Sequence, residues 1–529
     1  MKITKLILLL VTLLLSILTV DAQEASVPDV LDFRITKNSG EIVQNGKIVG
    51  YYVFYLKEKL DKKNNAYEIE IFDDNYNSTT TIEIVRSKYA TLLEMVYNGE
   101  AFMLHFYDNK VGYEFVTYKR NGEIGKSHNI DKKNISKWDL QRVNANIASN
   151  TENITIYPNG TEGFIRSTFR KNDKMGYEIT AYDNNANVVW EYGSDPKSEM
   201  IELVEIADVS TNVLSATISR KKNLFSRDIR MSCLLLNTKD GSLIKEFELG
   251  SEVNGPRSLL KSFVNEKNNS IILVGEFYKP DDDIVKNKSQ GIYMQILSLN
   301  GDVISNKDYL WKGDIDKFKN QQDPEDAKND RPFLVFFHNI FVAENGHIFM
   351  IGEQFIKQVS AGGVALKALA VGVGGSSNAS AFEIRVADMI LIEFDENKEM
   401  VAFKKVNKKK TSVLLGSGMG LVNTATLGYY IKSKGGFDYI FTSKDKEKDH
   451  YEVMYLDADR KEDKKSSDKS DIMVGVIKIK NGETSDIRVP INSEAKIFWI
   501  QQAKPGFISV GEYHRKEKRL DFRLEQLTY

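Results

Sequence analysis

Seven short polar turns, each preceded by an alternating apolar run, constrain this chain more than any other feature. They are Asp73-Asp74-Asn75-Tyr76-Asn77, Lys119-Arg120-Asn121-Gly122, Asp183-Asn184-Asn185-Ala186-Asn187, Thr238-Lys239-Asp240-Gly241, Leu299-Asn300-Gly301-Asp302, Asp395-Glu396-Asn397-Lys398 and Lys480-Asn481-Gly482-Glu483. Asn-Gly and Asp-Gly tolerate the positive φ that the twist of paired strands demands of a hairpin. Runs such as Tyr177-Glu178-Ile179-Thr180-Ala181-Tyr182 alternate between a buried and a wetter face, as a strand does. The turn centres lie about 46, 64, 55, 60, 97 and 85 residues apart. The wide gaps hold a polar stretch (313–331), a small-residue stretch (358–385) and a charged loop (457–471). Without these insertions the period settles near 50–65 residues, looser than the 40–50 of compact propellers.

A second repeat accompanies the first. Val274-Gly275-Glu276-Phe277, Ile351-Gly352-Glu353-Gln354-Phe355 and Val510-Gly511-Glu512-Tyr513 share an apolar residue, Gly, Glu and a nearby aromatic. Glycine inside a strand permits close backbone approach, and we read the Glu as tying each sheet to its neighbour by hydrogen bonds. The last unit is incomplete: Phe507 to His514 and Leu520 to Leu527 form two strands, and a strand at Val30 to Thr36 is available to complete it. The expected architecture is therefore all-β, a β-propeller of about eight blades (seven if one hairpin is an insertion), closed by pairing of the N- and C-terminal strands. The strand-turn-strand pattern, with segments such as Asn345-Gly346-His347-Ile348-Phe349-Met350-Ile351-Gly352-Glu353, resembles uncharacterised exported propeller-like proteins of Bacteroidota. The resemblance implies no activity, and the Gly-His to Trp-Asp repeat signature is missing from a chain with four Trp. The competing architecture is an outer-membrane barrel, for which Tyr529 would be a fitting end. Asp521, Arg523 and Glu525 beside Leu520, Phe522 and Leu524 leave no lipid-facing girdle.

The N-terminus reads as an address. Lys2 and Lys5 precede an apolar run from Leu6 to Val20, and Val20-Asp21-Ala22 offers small residues for cleavage before Gln23. That run, about 15 residues, falls short of the roughly 20 that span a bilayer. Residues 1–22 are thus expected to be a signal peptide and 23–529 a single propeller domain. No Cys follows the apolar run, so a lipid anchor is not supported. Export is expected, with the periplasm favoured over full secretion. The 72 Lys and Arg nearly balance 74 Asp and Glu, which argues against nucleic-acid binding. The one Cys, Cys233, excludes a disulfide framework and a four-cysteine zinc site.

The chain carries no recognisable catalytic constellation. Its six His (His105, His128, His338, His347, His450 and His514) lack the spacing of a zinc-hydrolase helix. His338 and His347 are nine apart, and ordinary polar partnering explains both better than a metal. The acidic runs Asp281-Asp282-Asp283, Asp314 to Asp326 and Asp457 to Asp459 read as solvated loops; Lys461 and Glu462 break a calcium-loop match. Gly416-Ser417-Gly418-Met419-Gly420 places Ser second, not at the centre of a nucleophile elbow. No catalytic, cofactor-binding or metal-binding residue is therefore assigned, and no cofactor is expected. Lys404-Lys405, Lys408 to Lys410 and Lys444 to Lys448 read as solvated surface. The segment Ser360 to Ser377 carries a single charge, Lys367, in charged surroundings. Such an apolar Gly-rich insertion at 358–385 packs on its own protein or meets a protein or glycan partner. The sequence points first to an exported, non-enzymatic binding protein of the cell envelope. The alternative is a hydrolase or lyase acting on polysaccharide through paired carboxylates around a propeller channel.

Overall fold

The alternating runs pair into eight separate antiparallel sheets in a computed structural model. It describes residues 23–527 apart from 34–38, 45, 150–153, 172–174, 224–225, 227–228, 266–267, 285–286, 319–333, 360–378, 417–426, 429–430, 433–434, 446–447, 459–471, 481 and 494. The expected signal peptide and the centres of all three insertions lie outside the described residues. The fold is an all-β propeller of eight blades. A barrel would close one continuous sheet; here the strands separate into eight.

The chain divides into two compact units. The first, Met1–Lys88 with Ser493–Tyr529, holds two blades. Blade 1 comprises Ser39–Gln44, Lys47–Lys59, Asn64–Asp73 and Ser78–Ser87. Blade 8 takes three strands from the C-terminal end (Ile497–Gln502, Phe507–His514 and Arg519–Gln526) and its fourth from Glu24–Val27. The two chain ends therefore share a sheet, as expected, but through a different segment from Val30 to Thr36. Asp29 takes φ 59 directly after Pro28, and this ends the pairing strand. Beyond it, Val30 N donates to Lys518 O (2.8 Å), Asp32 bridges to Leu56, and Phe33 stacks on Trp499 at 4.8 Å. Val30 to Phe33 fill an apolar gap instead of extending a ladder, and residues 34–36 of the expected strand lie outside the described residues.

The second unit, Tyr89–Asn492, holds blades 2 to 7. They span Ala90–Asp131, Ile156–Gly193, Ile201–Glu248, Arg257–Leu310, Leu334–Gly416 and Tyr439–Ile491 in turn. Blade 6 has a fifth strand, Thr411–Gly416, beside its third. There the second and third strands (Ile348–Val359 and Ala379–Phe394) pair out to Val359↔Phe382, so the described ends of the 358–385 insertion continue those two strands. The core lies between facing blades. Cys233 and Leu235 of blade 4 meet Ile271 and Leu273 of blade 5, and Ile272 and Met294 of blade 5 meet Met350 and Ile392 of blade 6. Each such side chain contributes about 1.5–3 kcal/mol by leaving water. Sequence reasoning missed the fifth strand of blade 6 and also the helix Lys137–Ser149 between blades 2 and 3. Ser136 Oγ accepts from Trp138 N at its start, and the helix buries Val143 and Leu140 against the two blades. Among the described residues, no helix is long and apolar enough to cross a membrane.

All seven sequence turns join the third strand of a blade to its fourth, in blades 1 to 7. Blade 8 lacks one because its fourth strand comes from the other end of the chain.

Candidate functional site

The first strands of blades 2, 4, 5, 6 and 7 each carry one residue too many for their partner, and those of blades 4, 5 and 6 share a cavity. In blade 4, Ile206 pairs with Ala216 and Asp208 with Ser215, leaving Ala207 as a bulge. Leu260 in blade 5 and His338 in blade 6 are left over in the same way. A bulge bends the strand and re-aims the side chain there. All three bulged residues line one cavity of about 280 Å³ within the second unit.

Two of the three repeat glycines stand beside these bulges, while Gly511 lies in blade 8 opposite Trp499. Leu259 faces Gly275 and Phe337 faces Gly352, at the step before each bulge. A Cβ on Gly275 would lie 1.9 Å from Ser258 O, and one on Gly352 would lie 2.6 Å from Val335. Thr217, Glu276 and Glu353 come next in their second strands, at matching positions beside the bulges. Thr217 and Glu276 reach the cavity wall.

Glu353 is fully buried and bridges blades 6 and 7, as the repeat led us to expect. It accepts from the backbone N of Asp438 (3.1 Å) and Tyr439 (3.0 Å), at the start of blade 7. Its carboxylate also lies 3.0 Å from Lys408 Nζ and 3.0 Å from His338 Nε2. Lys408 pairs in turn with Asp438, to which Thr411 Oγ1 donates (3.0 Å). Burial alone would raise the Glu353 carboxyl; His338, Lys408 and the Tyr439 amide outweigh it and hold it below the ordinary carboxylate range. Burial drives His338 down, towards the neutral imidazole, although Glu353 opposes this. Burial would lower Lys408, but Glu353 and Asp438 keep it a cation. His338 stacks on Tyr439 at 4.7 Å and meets Phe336 and Phe437 edge-on. Lys408, read from the sequence as solvated surface, is instead a buried counter-ion, with 0% of its side chain exposed.

Glu276 plays a different part from Glu353. It accepts from Ser289 Oγ (2.8 Å) and Tyr278 OH (3.3 Å), within its own blade. Burial raises its carboxyl above the ordinary value, with those two donors opposing. Glu512, third of the repeat, pairs with Arg523 at 2.6 Å, also within its own sheet. The tie between neighbouring blades therefore belongs to Glu353. Glu94 of blade 2 makes a similar tie unannounced by any repeat: it accepts from Thr155 N (2.7 Å), Ile156 N (2.9 Å) and Thr155 Oγ1 (2.7 Å) at the start of blade 3.

The remaining cavity wall is aromatic and basic. Phe336, Phe337 and Phe355 face Lys261, Lys288 and Lys432, with Glu205 and Glu276 as the carboxylates. Lys261 Nζ donates to the carbonyl of the bulged Ala207 (2.9 Å). Lys432 Nζ lies 5.6 Å over the Phe336 ring. A wider groove of about 660 Å³ lies in the first unit, where Glu68 is engaged by Tyr55 OH (2.5 Å) and Lys57 Nζ (2.6 Å) and Glu70 by Thr81 (2.7 Å).

The histidines fall apart as a group. His338 lies against Glu353, while His347 Nδ1 is 2.7 Å from Glu393. His514 lies 3.1 Å from Asp521, and His105 stacks on Phe115 at 4.3 Å. Among the described residues no three His, Cys, Asp or Glu converge as a metal site. Asp457 is largely buried and takes Lys409 N (2.8 Å) and Arg488 Nε (2.7 Å), so this residue is structural and not a solvated loop acid. Residues 417–420 of the Gly-Ser stretch lie outside the described residues. Cys233 is buried, and burial pushes its thiol up to about 12.

Residues 1–528 match a family described as a family of unknown function, DUF6770. The chain belongs to that family. No curated protein matches it. Among solved structures it is similar to the WD40 domain of SCAP from fission yeast (9% identity, TM-score 0.36, covering 96% of this chain and 99% of that one). It is also similar to the β-propeller domain of the trilobed protease from Pyrococcus furiosus (11%, 0.36, 85% and 96%). A DUF4221 family member from Bacteroides vulgatus aligns at 13% identity and TM-score 0.21, over 62% of this chain and 90% of that one.

Proposed function

We propose that this DUF6770 protein is an exported binding protein of the cell envelope, which takes a small ligand in the cavity walled by blades 4, 5 and 6. The observation that carries the proposal is the convergence of three strand bulges on one cavity whose wall combines aromatic rings with a few polar groups. Bulges concentrate next to sites because they re-aim side chains. Glu353 and His338, the nearest acid–base pair, are committed to each other, to Lys408 and to backbone amides. Export, cleavage after Ala22, a periplasmic location, a single domain over 23–529 and kinship with exported Bacteroidota propellers are parts of the same proposal. A protein or glycan contact through 358–385 is another, resting on sequence alone.

The test is ligand-observed NMR with a collection of small aromatic and polar compounds against the wild type and two variants that fill the cavity, Leu260→Trp and Ala207→Phe. At least one compound is expected to give a saturation-transfer signal that both variants remove. Signals that survive both, or none at all, would contradict the proposal. A second proposal, the polysaccharide hydrolase or lyase, draws on Glu205 and the raised Glu276 in the same cavity. It requires reducing ends to be released from a polysaccharide and Glu276→Gln to abolish the release.

A further inference from the structure

The cavity also says what kind of ligand suits it. We propose that it selects a small molecule with an anionic group, carboxylate or phosphate, on a flat apolar body; this rests on the binding function proposed above. The wall presents Lys261, Lys288 and Lys432 against the carboxylates Glu205 and Glu276, in a chain whose overall charge is −2. Glu276 is engaged by two hydroxyl donors, Ser289 and Tyr278, and burial favours its neutral form, so it offsets less of the ammonium charge than its count implies. A concave site with a net excess of one sign of charge concentrates ligands of the opposite sign.

Position supports the charge argument. The bulge at Ala207 supplies the carbonyl that holds Lys261 Nζ at 2.9 Å, which fixes the ammonium at the cavity wall. Lys432 is set over the face of Phe336, so a cation and an aromatic surface occur side by side. Phe336 and Phe337 keep part of their surface uncovered, although both sit in a strand packed on two sides. A flat ligand would cover those rings while its anion met the lysines. The volume, about 280 Å³, sits at the lower bound of small-molecule sites, roughly 300 Å³, and so limits the body to one ring or two.

Calorimetric titration of the full-length chain tests this with phenylacetate, phenyl phosphate, neutral phenylacetamide, cationic phenethylamine and inorganic phosphate. Either aromatic anion is expected to bind about tenfold or more tighter than the amide, the amine or free phosphate. That affinity is expected to fall as NaCl is raised. Preference for phenylacetate over phenyl phosphate would name the carboxylate, and the reverse the phosphate. Lys432→Gln, at an exposed position, and Lys261→Met should each erode the ranking, with the thermal midpoint recording that the variants are folded. Equal or tighter binding of the amide or the amine, lost in Leu260→Trp, would overturn the ligand class and leave a binding cavity. Binding by none of the probes would overturn the ligand class, and the NMR screen above separately decides whether the cavity binds at all.

Discussion

Glu353 shows how one side chain holds two sheets in register. Removing either charge from such a buried pair costs about 3–5 kcal/mol, because the other is left unpaired out of water. The titrations around it have defined signs. His338 is driven below its ordinary value of 6.5, so the unfolded chain takes up that proton first, and stability is lost as pH falls below 6.5. Glu353 is held below 4.5, so its contribution is present above 4.5 and lost as pH falls further. Glu94 acts in the other direction: burial raises it to about 7, so the folded chain is protonated first and gains stability as pH falls from 7 towards 4.5. The margin in thermal midpoint of wild type over His338→Gln isolates the first effect. It should shrink between pH 7.5 and 5; a constant margin would place no buried neutral imidazole there. The Gly-Glu repeat was legible in the sequence because identity recurs. The partnership of Glu353 with Lys408 was not, since the two are brought together by folding and Lys408 lies in a run that resembles any charged loop.

At the level of elements, the turns explain why the blades were countable. Each described turn places one residue in the left-handed region, and two chemistries achieve it. Gly122, Gly241, Gly301 and Gly482 do so at φ 87, 70, 80 and 80, free of a Cβ. Tyr76, Ala186 and Lys398 do so at φ 64, 60 and 65, behind a leading Asp. Asp73 and Asp183 each accept from backbone N–H groups two and four residues on, at 2.8–2.9 Å. Such Asx turns supply locally what glycine supplies by its freedom. The two kinds of glycine should separate on substitution. Gly482→Ala meets nothing within 4 Å and should cost only the left-handed strain, about 1 kcal/mol. Gly241→Ala would put a Cβ 2.6 Å from the Trp190 ring and should cost clearly more in urea unfolding. Equal costs would mean that the Trp190 ring gives way freely. Strand bulges stayed hidden because an extra residue slips the alternation by one place, and that slip cannot be read where successive residues are all apolar, as in Leu259-Leu260 and Leu334 to Phe337. For that reason the cavity, built from three of them, was not legible although its blades were.

Over the whole molecule, eight blades require the fourth strand of the last sheet to come from the start of the chain. The need for that strand was readable from an incomplete last repeat; its location was misplaced by a few residues. Val30 to Thr36 has the stronger apolar pattern, but the ladder ends at Val27, before Pro28 and the left-handed Asp29. The segment that pairs, Glu24 to Val27, is short and has little pattern of its own. Ser26 stands opposite Asp521 across this junction, with Ser26 Oγ donating to Asp521 Oδ1 at 2.8 Å. Cys233 is the chain's one native thiol and is buried, so a new pair of cysteines can be followed without interference. The most direct measurement is therefore oxidation of the folded Ser26→Cys/Asp521→Cys variant, read by protease mapping and non-reducing electrophoresis. The two ends should be linked within one chain nearly completely, and the melting temperature should rise. Free thiols at both positions after oxidation of a folded protein would contradict the shared sheet on which the eight-bladed fold depends.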